Sequence, residues 1–343
     1  MPFSLPSMED NQRVPMEKTV KIIRKSVHNW LQNYQYFSIT SALLALPFSV
    51  SILLSQAIVL SSPALVPTIY NRLSVMFLAA GFPPNSEFFT ILNLKLSQTI
   101  SSSIFTLPFT LSFFLIAKAS VIQALNHQKP SFQPSFSSVF SIFNPLLVTY
   151  TCNSFVIISA NATAFCLLFL AFNFLEGFGF SSSSPSSFLL FSAAGAVLYS
   201  IILANALIVC NLALVLSGVE RSGGFLAILK SCIMLRGRAS TALSLAVPAN
   251  LALAGIEALF QYRIVRAFHV GETSMFWMAM EGMLIAYLYS IFIVLDTIMS
   301  CNFFKSCKAS PCIEQEGSRY AYRIEIAEQE KGDYVSLKVS QEQ

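Results

Sequence analysis

Three carboxylates stand in stretches otherwise dominated by Leu, Ala, Ile, Phe and Met: Glu257, Glu281 and Asp296. An acid in such surroundings is costly unless a partner or water meets it, so each is a candidate for proton coupling, ion coordination or acid–base work. Gln98, Asn153, Asn161, Asn205, Asn211 and Asn250 are their neutral polar companions. Glu281 is the deepest, about a turn and a half into its apolar run. Glu257 and Asp296 lie nearer the ends of theirs. Two roles for Glu281 stay open: the centre of a small-solute or ion pathway, or an interhelical hydrogen bond or snorkelling contact.

Other chemistries lack their residues. There is no HExxH, GxSxG, phosphate-binding loop or GxGxxG, and His28, His127 and His269 are scattered. The glycines of "SGVERSGG" and "GFGF" lack the strand-to-helix context and the lysine that phosphate cradling needs. A non-enzymatic chain is expected, with no cofactor and no metal site. No basic-aromatic groove can be drawn, so nucleic acid is not an expected partner.

The elements that hold these acids follow from composition. Of 343 residues, 55% are hydrophobic and only 11% charged, against roughly 45–50% and 25% in soluble domains. The apolar residues gather into six runs, at about 37–60, 96–117, 145–172, 188–216, 239–260 and 276–300, each able to cross ~30 Å of hydrocarbon. The expected fold is all-α: a polytopic integral membrane bundle of six transmembrane helices with interfacial amphipathic helices, its partner the lipid bilayer. A basic segment, 1–36, precedes the membrane domain of 37–300, and a tail, 301–343, follows it. Pro47, Pro108 and Pro248 predict kinks in spans one, two and five. The first run, starting at Phe37 and 24 residues long, exceeds the ~7–15 residues of a cleavable leader and reads as a retained signal anchor.

Lysine and arginine set the expected orientation. One set of alternate segments carries 17 of the 21, namely residues 13–25, Lys118, Lys129, the stretch from Arg221 to Arg238, and the tail from Lys305 to Lys338. The other carries Arg72, Lys95, Arg263 and Arg266. Both termini are therefore expected in the cytosol. No cysteine falls in a segment on the opposite side, so no structural disulfide is expected.

Several segments suggest contacts. "RVPMEKTVKIIRKSVHNW" places Val20, Ile23, Val27 and Trp30 at helical spacing with Lys21, Arg24 and Lys25 displaced from them. This suits either anionic lipid headgroups or ordinary flanking charge. The loop 61–95 contains "IYNRLSVMFLAAGF", too short to span, which reads as interfacial, re-entrant or a cap over helix ends. "EGFGFSSSSPSS" reads as a surface loop. Cys301, Cys307 and Cys312 in "CNFFKSCKASPC" are juxtamembrane candidates for S-palmitoylation or ordinary thiols. Tyr334 and Leu337 frame a Y-x-x-Φ tetrapeptide of the form a cytosolic adaptor reads by strand addition.

"VERSGGFLAILKSCIMLRGR", from Val219 to Arg238, places Phe225, Ile228, Leu229, Cys232 and Ile233 on one helical face and Ala227, Lys230, Ser231 and Met234 on the other. An amphipathic helix at the cytosolic interface is expected, since a central lysine costs ~2.5 kcal/mol or more at mid-bilayer. Its pattern of Glu220, Gly224, Ala227, Ser231, Leu235, Gly237 and Arg238 resembles the inner loop of a plant family of uncharacterised six-span membrane proteins. "DTIMSCNFFKSCK" and "GDYVSLK" are similar to that family's exit from span six and its G-[ED]-Y-V-P-L ending, with Ser336 in place of the proline. The resemblance implies architecture and a membrane location, not a reaction. The expected function is membrane organisation, trafficking or interaction in an endomembrane (ER or vacuole) or the plasma membrane; the alternative is transport around Glu281.

Overall fold

The computed structural model describes residues 8–61, 65–79, 87–126, 136–177, 185–236, 238–270 and 275–308. Cys312, Tyr334 and Leu337 lie outside these described residues, as do His127, Lys129 and 178–184 of the serine-rich loop. Among the described residues every regular element is helical: α1 (Met8–Gln32), α2 (Tyr34–Thr40), α3 (Leu46–Ser61), α4 (Leu65–Ala79), α5 (Glu87–Phe109), α6 (Leu115–Asn126), α7 (Phe136–Gly177), α8 (Pro185–Glu220), α9 (Phe225–Leu235), α10 (Ala239–Phe260), α11 (Arg266–Val270) and α12 (Met275–Lys308). Single π-helical turns at Ser41–Ala45, Thr110–Phe114 and Gln261–Val265 join α2 to α3, α5 to α6 and α10 to α11.

Six stretches are long and apolar enough to cross a bilayer: Tyr34–Ala57, Asn93–Asn126, Val139–Leu168, Ala193–Glu220, Ala239–Phe268 and Phe276–Lys308. Each overlaps one of the six runs read from sequence, and the chain is an all-α, multi-pass membrane bundle. The bounds differ by a few residues at several ends, and three of the extensions take in residues read as lying outside the runs. The second stretch runs past Ala117 to take in Lys118, the third starts before Pro145, and the fifth takes in Arg263 and Arg266. Hydropathy marks where hydrocarbon should end, whereas backbone hydrogen bonding continues until a cap or breaker stops it.

Two prolines sit beside π-helical turns, Pro47 just after Ser41–Ala45 and Pro108 just before Thr110–Phe114. A proline lacks one N–H and crowds the carbonyl a turn behind it, and a widened turn is one way a helix absorbs that defect. Hydroxyls cover carbonyls nearby: Ser49 Oγ donates to the Ala45 carbonyl at 2.9 Å and Ser112 Oγ to that of Pro108 at 2.6 Å. Pro248 lies inside α10 with no such turn beside it.

The chain divides into two units, one of residues 1–22, 148–244 and 300–343, the other of 23–147 and 245–299. In the second, Phe48 and Leu53 of α3 pack with Ile256 and Phe260 of α10 and with Ile285, Ala286, Tyr289 and Ile293 of α12. A further cluster joins Phe37 and Ala45 to Ala117 and Val121 of α6 and to Val294 and Ile298 of α12. Helix α4, the apolar part of loop 61–95, packs along α5, and Asn93 Nδ2 donates to the Tyr70 carbonyl at 3.3 Å.

In the first unit α7 and α8 run antiparallel. Asn153 Nδ2 donates to the Cys210 carbonyl at 2.9 Å and the Tyr199 hydroxyl to Asn161 Oδ1 at 2.5 Å, so moving forward on α7 is moving backward on α8. The buried face of α1 departs from the sequence reading. Thr19, Ile22 and Ser26 are buried, while Val20 and Val27 are exposed. Small hydroxyls fit a close helix contact better than branched side chains, and Thr19 Oγ1 meets Ser244 Oγ of α10 at 2.6 Å.

Candidate functional site

On α12, Glu281, Tyr289 and Asp296 follow at intervals of eight and seven residues, so they share one side of the helix. At 1.5 Å per residue Glu281 and Asp296 are about 22 Å apart along it. The three intramembrane acids accordingly do not converge, and each has a different partner.

Glu257 has the richest surroundings. Tyr289 donates its hydroxyl to Oε1 at 2.9 Å and Gln56 Nε2 donates to Oε2 at 3.0 Å. Gln261, one turn beyond Glu257, donates from Nε2 to Gln56 Oε1 at 3.0 Å. The result is a hydrogen-bonded chain, Gln261 to Gln56 to Glu257, closed from the other side by Tyr289. Three helical segments hold it, α3, α10 with its following π-helical turn, and α12. The phenol is almost fully buried, at 6% exposure. The network satisfies both carboxylate oxygens with uncharged donors, which suits a carboxylate held away from bulk water.

Glu281 meets a charge instead: Arg263 Nε donates to its Oε1 at 2.6 Å, with both side chains substantially exposed. The sequence placed Arg263 in a loop, but the π-helical turn after α10 carries it to Glu281. Asp296 lies on α12 within electrostatic reach of Lys118 of α6. Lys118 is 4% exposed and its ammonium stands 4.8 Å from the centre of the Phe114 ring. It belongs to a helix and not, as its charge suggests, to a flanking loop.

The other polar companions of the spans are used elsewhere. Asn153 and Asn161 tie α7 to α8, Asn205 Nδ2 returns to the Ile201 carbonyl of its own helix at 3.0 Å, and Asn250 is exposed. Gln56, Gln261 and Tyr289 were not distinguished by sequence reading. The one available signal was the four-residue spacing of Glu257 and Gln261, which puts both on one helical face. Nothing local marks Gln56 or Tyr289 as their partner.

Beside this network lies an apolar cleft of about 280 Å³, lined among others by Leu53, Phe260, Ile264, Met278, Gly282 and Ala286. Glu281 is not among its lining residues. Gly282 leaves room in its wall: a Cβ there would come no closer than 3.8 Å to Ile264 and Phe260.

The α8–α9 connection contains the expected short helix, but turns a different face of it to the protein. After Glu220 the backbone turns through Arg221 at φ 55° and Gly224 at φ 85°, ψ −150°. The second conformation is open in practice only to glycine. Thr149 Oγ1 of α7 accepts the Gly224 N–H at 2.9 Å. Helix α9 then doubles back along α8, Ser231 Oγ reaching the Val209 carbonyl at 3.2 Å, eleven residues or roughly 16 Å before the end of α8. The face against the protein is Ala227, Ile228, Ser231, Met234 and Leu235, largely the face read as the less apolar one, while Phe225, Leu226 and Leu229 are exposed. Lys230 Nζ pairs with Glu220 Oε2 at 2.9 Å.

Near the end of α12, Cys301 and Cys307 are buried, at 3% and 1% exposure. Arg238 Nη1 donates to the Cys307 carbonyl at 3.3 Å. The sequence reading of both as acylation candidates meets a steric objection, because an acyltransferase needs an accessible thiol.

The family model described as "Domain of unknown function (DUF8558)" matches residues 9–343. The chain belongs to the DUF8558 family. The match takes in all six spans, the α8–α9 connection and the Glu257 network. No curated protein and no solved structure matches the chain.

Proposed function

We propose that the protein is a non-enzymatic multi-pass membrane protein that organises a membrane or its traffic through cytosolic segments: the basic α1 region, the α8–α9 connection and the tail beyond Lys308. On this reading both termini face the cytosol of a plant cell, in the ER, vacuolar or plasma membrane. The basic segments meet anionic headgroups, and Tyr334 and Leu337 engage an adaptor.

The observation that carries the proposal is the separation of the intramembrane acids. Glu257, Glu281 and Asp296 are engaged by three different sets of groups spread along about 22 Å of α12, and the cleft beside them is apolar. A solute pathway would instead gather polar groups around one cavity. The intramembrane acids serve to pin helices together, which leaves the charged segments outside the spans for recognition.

Proximity labelling of the intact protein beside a version lacking Ser310–Gln343 tests this. The truncated form is expected to keep its membrane and lose a set of cytosolic neighbours. Identical neighbours for both would overturn the tail's role.

A second reading, transport of a small solute or ion, is favoured by one feature, the network of Gln56, Gln261 and Tyr289 around Glu257. It relocates the proposed centre from Glu281. Reconstituted vesicles would then show a pH-dependent flux abolished by Glu257→Gln; absence of flux across a panel of ions and protons would count against it.

A further inference from the structure

The apolar cleft of the second unit has a polar rim, and the two together have the chemistry of a lipid. Along α12 the cleft runs from Met278 to Ala286, roughly 12 Å of helix. It is open at Leu54 and Met283, which are 43% and 51% exposed, on spans whose exposed surfaces are apolar. The end near Met278 is marked by exposed aromatic residues, Tyr262, Phe276 and Trp277, the residue types that settle at the headgroup level of a bilayer. At that same end stand Arg263, whose Nε is fixed by Glu281, and Arg266, which lies 5.5 Å over the Tyr262 ring. Arg263 and Glu281 immediately precede two lining residues, Ile264 and Gly282. Two guanidinium groups against one carboxylate leave the described rim net positive. Arginine presents planar, paired donors that match a phosphate.

We infer that this cleft is a glycerophospholipid site, with one acyl chain lying along Leu53, Phe260, Gly282 and Ala286 and the headgroup phosphate held by Arg263 and Arg266. Missing side-chain volume at Gly282 makes room for the chain. The Glu281 carboxylate opposes the phosphate electrostatically, but it orients Arg263 so that the guanidinium's remaining N–H groups are presented as a fork. The site selects for a phosphate-bearing lipid, since diacylglycerol would fill the cleft yet bring no anion to Arg266 or to the N–H groups of Arg263 that Glu281 leaves over.

Trp277 reports on the site. With Trp30→Phe as background, it is the sole tryptophan of the chain. The full-length protein in detergent micelles is titrated with dioctanoyl phosphatidylglycerol, dioctanoylglycerol and inorganic phosphate, reading Trp277 emission. A saturable change is expected with the phospholipid, an at least tenfold weaker response with dioctanoylglycerol, and none with inorganic phosphate. Gly282→Leu, which fills the cleft, and the paired Arg263→Gln and Arg266→Gln variant, confined to the exposed rim, should each weaken phospholipid binding at least tenfold while the unfolding midpoint stays near that of the background. If Gly282→Leu fails to fold, the rim variant still decides. Non-saturable partition, equal responses to phospholipid and dioctanoylglycerol, or undiminished binding by the folded rim variant would each overturn the assignment. A saturable response to inorganic phosphate alone would replace it with a free-anion site.

Discussion

Tyr289 of α12 donates its hydroxyl to Glu257 of α10 at 2.9 Å. This pair links two spans whose acid and phenol are 32 residues apart in sequence, and it is backed by Gln56 on the other carboxylate oxygen, with Gln261 donating in turn to Gln56.

Tyr289→Phe keeps the ring in its packed site and removes only the donor. Interhelical hydrogen bonds in membranes contribute about 0.6–2 kcal/mol, so a loss of stability in that range is expected. The measurement is denaturant unfolding in micelles, run as a double-mutant cycle with Glu257→Gln. Strict additivity of the two substitutions would mean that the bond does not couple the helices.

Gly224→Ala should be more damaging than the space around it suggests. A Cβ would meet Val148 no closer than 3.6 Å, but φ 85°, ψ −150° is strained for any other residue by roughly 1–3 kcal/mol. Thr149→Val removes the acceptor of the Gly224 N–H and is expected to cost about 1–3 kcal/mol through the buried donor left behind. Limited proteolysis between α8 and α9 should accelerate in both. Unchanged cleavage in Gly224→Ala would argue that the connection adopts another conformation.

An exposed and a buried charge of the second unit should behave differently. Arg263 and Glu281 are exposed, so Glu281→Gln is expected to shift stability by no more than about 1 kcal/mol. Lys118→Ala removes a buried ammonium that stands over the Phe114 ring and within electrostatic reach of Asp296, and should cost more than Glu281→Gln does. Equal unfolding midpoints for the two variants would remove the distinction.

Thiol chemistry maps the burial directly. In folded protein, N-ethylmaleimide is expected to label Cys232, exposed outside the spans, and to spare the buried Cys210, Cys301 and Cys307. Partial desolvation against the protein pushes the Cys232 thiol up from its ordinary value. Its thiolate therefore forms at higher pH than that of a free thiol, and its labelling rate should still be rising where a free thiol's has levelled off. Thioester capture from cells should place S-acylation on Cys312, with Cys312→Ser abolishing the signal; acyl groups on Cys301 or Cys307 would contradict the burial described here.

Much of the architecture was readable from composition. A run of about twenty apolar residues has one stable solution in a bilayer, a helix, because each backbone polar group must be satisfied within the segment. That argument places all six spans, and the glycines before Phe225 announce a break before α9. Where helices end is less visible, since Lys118 and Arg263 read as loop charges by type yet the hydrogen-bond ladder continues through both.

Helix faces and partners are a different kind of information. A wheel drawn for α1 or α9 ranks residues by hydropathy, but the side that meets the protein is chosen by close packing and hydrogen bonding, which small side chains permit. Hence Thr19, Ser26, Ala227 and Ser231 are buried while Val20, Phe225 and Leu229 are exposed. The sequence by itself determined which segments cross the membrane and which acids lie within them. Only the tertiary structure decided that Glu257 meets Gln56 and Tyr289, that Glu281 meets Arg263, and that Gly282 opens a cleft beside them. Those pairings depend on the rotation and register of helices far apart in the chain, which no local pattern encodes.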